Sequence, residues 1–153
     1  MKVLPVKLKD FMNIMASIED RQDKMNLLID YAEKFMEVPE EIAKKPFPRE
    51  RAVPFCESEA YVFSRLNKNN KINFYYAVEN PQGISAKALC AIFESMLEDE
   101  SPETILNIPT DIILEIFGHE LSMGKNMGLT GILQMMQRDA KQYLLKPETS
   151  AQN

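Results

Sequence analysis

Four of the nine prolines, Pro39, Pro46, Pro48 and Pro54, fall in one short stretch beginning at Val38. Each lacks a backbone N–H and fixes its own φ, so this stretch sustains neither a helix nor an interior strand. It therefore has to be a long loop, and long loops inside small domains are disproportionately functional. Everything else in the chain can be read by its position before or after this divide.

Before it, Leu8, Phe11, Met12, Met15 and Ile18 recur at steps of three and four, the stripe of a short amphipathic helix. Met25, Leu28, Ile29, Ala32 and Met36 repeat the pattern and predict a second helix over Asp20 to Glu37, with a break near Ile18 and Glu19. After it, the period changes to two. Ala60–Phe63 and Ile72–Val78 are rich in aromatic and β-branched residues and are separated by Asn67-Lys68-Asn69-Asn70, which predicts an antiparallel hairpin. Ile72, Phe74, Tyr76 and Val78 share one face for a helical layer, leaving the other to solvent or a partner.

Beyond Pro81-Gln82-Gly83 the helical period returns at Leu89, Ile92, Phe93, Met96 and Leu97. Ser101-Pro102-Glu103 is a helix start, and Thr110-Asp111 opens another short helix that Gly118 can end. His119 beside that stop reads as a capping residue. Leu129, Ile132, Leu133, Met136, Ala140, Tyr143 and Leu144 mark the last helix. The reading is one α+β domain over residues 1–146, a small antiparallel sheet packed against helices, with a flexible tail at 147–153. A length of 153 residues suits a single domain.

Several chemistries are excluded by what is missing. A formal charge of -5 repels phosphate backbones and anionic membranes, so neither nucleic acid nor membrane is an expected partner. No apolar run is long enough to span a bilayer and no signal peptide is evident, which places the chain in the cytoplasm, or in an organellar matrix or stroma after processing. One histidine and two cysteines cannot build a His-rich or Cys-rich metal centre, so no metal is expected. The five glycines spell no dinucleotide fingerprint, and Gly124-Lys125 lacks the upstream glycine and following hydroxyl of a phosphate loop. No pair of acids is singled out by an apolar setting.

The cysteines remain. Cys90 sits on an apolar helical stripe and reads as a small core residue. Cys56 stands where the proline-rich loop meets the first strand, in Val53-Pro54-Phe55-Cys56-Glu57-Ser58-Glu59-Ala60-Tyr61. By composition alone it is either a thiol presented to another protein or one buried by Val53 and Phe55.

This segment resembles the Val-x-Gly-Cys-x-Ser-x-Val-Trp motif of the SufE family, sulfur acceptors of iron–sulfur cluster assembly. Asp20-Arg21-Gln22-Asp23-Lys24-Met25 and Leu28-Ile29-Asp30-Tyr31-Ala32 resemble its early helix, and Lys87-Ala88-Leu89-Cys90-Ala91-Ile92 its Lys-Gly-Leu helix. Leu121-Ser122-Met123-Gly124-Lys125-Asn126-Met127-Gly128-Leu129 resembles its Leu-Ser-Pro-Ser-Arg-x-Asn-Gly-Leu segment. The likeness runs in order from Leu8 to Tyr143. Phe55 replaces the motif glycine, Tyr61 the tryptophan, Lys125 the arginine and Met127 an asparagine. A glycine tolerates positive φ, so Phe55 should stiffen or enlarge the loop, and Lys125 keeps charge without the planar fork of arginine.

The resemblance implies a SufE/IscU-like architecture, with a third strand that periodicity does not find. It implies that Cys56 takes persulfide sulfur from a SufS-like cysteine desulfurase, activates that enzyme, and passes the sulfur to a downstream iron–sulfur scaffold. Phe55, Glu57 and Ser58 would support the cysteine on a movable loop, and Arg51, Tyr61 and Lys125 would meet the partner. No cofactor is implied for this chain; pyridoxal phosphate would belong to the desulfurase. The alternative is a divergent binding or regulatory module that transfers nothing. A peroxide-reactive enzyme would need a resolving thiol, for which Cys90 is poorly placed.

Overall fold

A computed structural model describes residues 4–118 and 121–145. The chain forms α1 (Val6–Ser17), α2 (Arg21–Glu33), a 3-10 turn at Arg49–Arg51, β1 (Ala60–Leu66), β2 (Ile72–Val78), α3 (Ile84–Met96), α4 (Pro102–Leu106), α5 (Ile112–Phe117) and α6 (Met123–Leu145). This is the α+β architecture expected, and the second strand has the expected limits. The reading of His119 as a cap, and of 147–153 as a tail, lies outside the described residues.

Local chemistry explains most boundaries. Asp20 accepts from the Asp23 N–H and caps α2. Ser101 accepts from the Thr104 N–H ahead of Pro102, and Gly118, at φ +88°, ends α5. Two helices differ from expectation. Helix α2 stops at Glu33 instead of Glu37, because the chain must turn out to pass the Val38 N–H to the Tyr76 carbonyl, 2.8 Å away, and Val38 precedes a proline. Helix α6 starts at Met123, ahead of Leu129, with the Ser122 hydroxyl accepting from the Lys125 N–H at 3.2 Å.

The strands pair antiparallel from Ala60 opposite Val78 to Leu66 opposite Ile72. Ile72, Phe74, Tyr76 and Val78 face the main core, together with Leu8, Phe11 and Met15 of α1, Leu89, Ile92 and Phe93 of α3, and Ile132, Leu133 and Met136 of α6. The opposite face is not left open. Val38 and Phe47 from the proline-rich loop cover Tyr61, Phe63 and Ala77 in a second apolar cluster, the Phe47 ring standing 5.1 Å from Tyr61 and 5.6 Å from Phe63 between centroids. The long loop is thus a lid over the sheet.

Among the described residues the sheet has two strands, not three. On the outer edge of β1, alternate carbonyls are already taken: Ala60 accepts from the Val53 N–H at 2.8 Å, Val62 from the Arg51 side chain at 2.7 Å, and Ser64 from the Tyr143 hydroxyl at 3.1 Å. A single bridge, Ala52 with Tyr61, is all that stands where a third strand would run.

Candidate functional site

Cys56 lies in the loop between the 3-10 turn and β1, and this loop is tied on several sides. The Val53 N–H closes it onto Ala60, and the Glu59 N–H bonds back to the Cys56 carbonyl at 3.0 Å. The carbonyls of Glu57, Ser58 and Glu59 accept from the Asn80 side chain, the Asn80 N–H and the Glu79 N–H at 3.0, 3.2 and 3.1 Å. Phe55 and Glu59 make the sharp bends at φ +56° and +54°. The backbone therefore keeps at Phe55 the left-handed shape that the motif glycine would allow, and the bulk of the ring is turned outward, 80% exposed. The loop is thus held by backbone bonds on several sides, and the Phe55 ring points away from it.

The floor of the loop is made of glycine. A Cβ on Gly128 would stand 3.3 Å from Cys56 Cα and 3.4 Å from Cys56 Sγ; one on Gly131 would meet Val53 Cγ1 at 2.7 Å; one on Gly124 would reach Glu57 Oε1 at 3.4 Å. Gly124, Gly128 and Gly131 share a face of α6 by their spacing, and the loop runs along it in the opposite direction. On the other flank Ser58 rests on Gly83, whose added Cβ would lie 2.9 Å from the Ser58 Cβ. A side chain at Gly83 or Gly131 would force Ser58 or Val53 to shift, and one at Gly128 would press on Cys56 itself.

Cys56 is partly exposed at the wall of a cleft of about 410 Å³, shared with Met25 and Ile29 of α2, Ile84 of α3 and Lys125 of α6. Of the α2 stripe, Met25 and Ile29 are exposed and line this cleft together with the exposed Ile84, while Leu28 packs on the main core. Glu57 and Lys125 line the same cleft with opposite charges, and Ser58 closes its base. Tyr61 is buried against Phe47 and borders a second groove with Arg49, Phe55 and Cys56; Arg49 donates to its hydroxyl at 3.3 Å. Arg51 stands behind the loop, its guanidinium joined to Asp139 and the Val62 carbonyl. The structure thus gathers Cys56, Phe55, Glu57, Ser58 and Lys125 at one surface and sets Arg51 apart.

Cys90 is fully buried in α3, and burial pushes its thiol well above the usual thiol range, with Cys56 nearby adding to the shift. The accessible sulfur chemistry of the described residues therefore belongs to Cys56. Among the described residues no three His, Cys, Asp or Glu side chains converge as metal ligands, and no helix is long and apolar enough to cross a membrane.

Sequence reasoning missed the glycine floor, because it began α6 at Leu129 and so left Gly124 and Gly128 outside the helix. It also missed Asn80 and Asp139, polar residues whose roles depend on segments distant in the chain.

The described residues form a small α+β domain that presents one partly exposed cysteine from a bonded loop, beside exposed apolar side chains of α2 and α3. The model of the SufE domain, described as an Fe-S metabolism associated domain, matches residues 9–140. The chain belongs to the SufE family, and its role lies in iron–sulfur metabolism. No curated protein matches the chain. Among solved structures it is similar to the solution structure of a hypothetical protein from Thermus thermophilus, with a TM-score of 0.74 and 24% identity over 94% of this chain and 100% of that one. That likeness concerns the fold.

Proposed function

We propose that the protein accepts sulfur on Cys56 from a cysteine desulfurase and thereby activates it, then yields the sulfur for iron–sulfur cluster assembly. The observation that supports this best is the contrast between the two thiols. Cys56 is held at a rimmed cleft on a bonded loop, while Cys90 is sealed in the core.

In the proposed step the Cys56 thiolate attacks the terminal sulfur of the desulfurase persulfide. A new S–S bond forms at Cys56, the old S–S bond breaks, and its electron pair leaves on the desulfurase cysteine as a thiolate. Sulfur moves with no net oxidation. Attack by a later thiol or thiolate on the terminal sulfur of Cys56 repeats the exchange and restores the free cysteine. The chain needs no cofactor of its own for this, and pyridoxal phosphate serves in the partner. Phe55, Met25 and Ile84, all exposed and lining the two grooves that Cys56 borders, provide apolar area that a partner would bury around the sulfur, and aromatic and methionine side chains are effective anchors of that kind. Lys125 offers a positive charge to the incoming persulfide.

The test is intact-protein mass spectrometry after incubation with a cysteine desulfurase and cysteine, with peptide mapping and a Cys56→Ser control. The expected result is a desulfurase-dependent, reductant-removable sulfur adduct on Cys56, lost in the variant with its melting temperature unchanged. Docking and stimulation that persist in Cys56→Ser, with no adduct on the parent protein, would instead make the chain a non-transferring regulatory module.

A further inference from the structure

Asp139 is the one buried charged residue among the described residues, 3% exposed on the inner face of α6. Its Oδ2 accepts from the Arg51 guanidinium and from the Ser64 hydroxyl, the latter at 2.7 Å. Its Oδ1 has no hydrogen-bond partner, with the Arg138 guanidinium standing off at 3.8 Å. Arg51 uses its second donor on the Val62 carbonyl and lies 6.0 Å from the Phe63 ring centroid. One side chain therefore joins the root of the Cys56 loop to β1 and to α6 at once. Two residues later Val53 settles on Gly131, and Cys56 follows onto Gly128.

A buried carboxylate with an idle oxygen is an expensive way to hold a fold together, since apolar packing serves stability as well or better. Directional bonding gives something else: the fork of arginine fixes the angle as well as the distance of what it grips. From this arrangement we infer that Arg51 and Asp139 are positioning residues for sulfur transfer. They set the register of the loop on the glycine face, and so the depth at which Cys56 sits in its cleft. The inference rests on Cys56 being the sulfur acceptor proposed above.

The two cysteines make the test self-controlled, because Cys90 reports opening of the core while Cys56 reports the loop. Wild type, Arg51→Lys, Asp139→Asn and Ser64→Ala are alkylated with iodoacetamide in native buffer, with both cysteines followed by peptide mapping. Sulfur acceptance from a cysteine desulfurase and cysteine is timed on the same proteins. Arg51→Lys keeps the charge and loses the fork; Ser64→Ala removes a donor to the same oxygen without touching the loop. The expected result is severalfold faster alkylation of Cys56 in Arg51→Lys and Asp139→Asn, with Cys90 as protected as in wild type and sulfur acceptance slower. Ser64→Ala should leave the Cys56 rate unchanged.

Wild-type rates at Cys56 in both loop variants would overturn the inference, as would Cys90 becoming reactive in step with Cys56, or Ser64→Ala matching the loop variants. Unaltered sulfur acceptance despite faster alkylation would overturn the link to transfer. If Asp139→Asn does not fold, Arg51→Lys decides alone. If wild type accepts no sulfur, the proposed function fails, and the alkylation rates still decide whether the pair sets the loop.

Discussion

Phe55 holds a large side chain at φ +56°, where a non-glycine residue is strained by about 1–2 kcal/mol. Phe55→Gly relieves that strain and removes the most prominent apolar group beside the thiol. The expected outcome is a rise of roughly 1 kcal/mol in unfolding free energy by denaturant titration, with weaker capture of the desulfurase seen as a higher KM for sulfur acceptance. A residue whose removal helps the fold and harms the encounter is placed for the partner. Gly131 works the other way. Alanine there brings its Cβ to within 2.7 Å of Val53, and overpacking at about 1–3 kcal/mol outweighs the ~1 kcal/mol gained in helix propensity. A lower thermal midpoint for Gly131→Ala checks this. The place of Cys56 between the proline-rich loop and the first strand was legible in the sequence, because the segments that bracket it are contiguous with it. The glycines beneath it were not, because a glycine in a helix signals close approach only when the approaching segment is known.

At the scale of elements, the end of α3 is poorly suited to the charges it carries. Glu94 lies along a groove with Tyr76, Phe93 and Leu97, and partial burial, reinforced by Glu98, raises its carboxyl above the ordinary 4.5. It also sits at the negative end of the helix dipole. Because the folded carboxyl keeps its proton to higher pH than the unfolded one, stability falls as pH rises past 4.5, and the loss is complete above the folded value. Below 4.5 both states are protonated and the loss disappears. Glu94→Gln is therefore expected to stabilise the protein slightly at pH 7, solvent screening at this largely exposed side chain keeping the gain small, and to match wild type in strongly acidic buffer well below the carboxyl range, as measured by thermal unfolding across pH. Helix and strand identities were legible from periodicity, since period two and period 3.6 are hard to confuse over these lengths. The end of α2 was not, because a hydrogen bond from Val38 to a strand almost forty residues on decides it. The apolar stripe of α2 was legible as a stripe, but its division between the core, where Leu28 packs, and the cleft lined by Met25 and Ile29 depends on what lies opposite.

At the scale of the molecule, the two apolar clusters divide the labour. The main one, between the sheet and the helices, fixes the frame from which α3 and α6 approach the loop; the smaller one folds the proline-rich segment over the sheet and so fixes where the loop begins. The expected helical layer on one sheet face was correct, and the expected open face was not, because a stretch rich in proline still carries Val38 and Phe47 at the positions that reach the sheet. Cys56 thus rests on contributions from both ends of the chain, and the position of its thiol is a property of the whole fold.

A hairpin with an unpaired edge invites other chains to extend it, and fibrillar association begins in that way. Here the outward carbonyls of Ala60, Val62 and Ser64 are spoken for by an amide, a guanidinium and a phenol, and at the far edge Tyr76 accepts from Val38 while Ile72 donates to Glu100. Met25, Ile84 and Phe55, exposed apolar side chains beside Cys56, are thus displayed without a template for endless addition next to them. What is left to attract other molecules is side chain, whose contacts are local and reversible, and not backbone, whose pairing can propagate from one chain to the next.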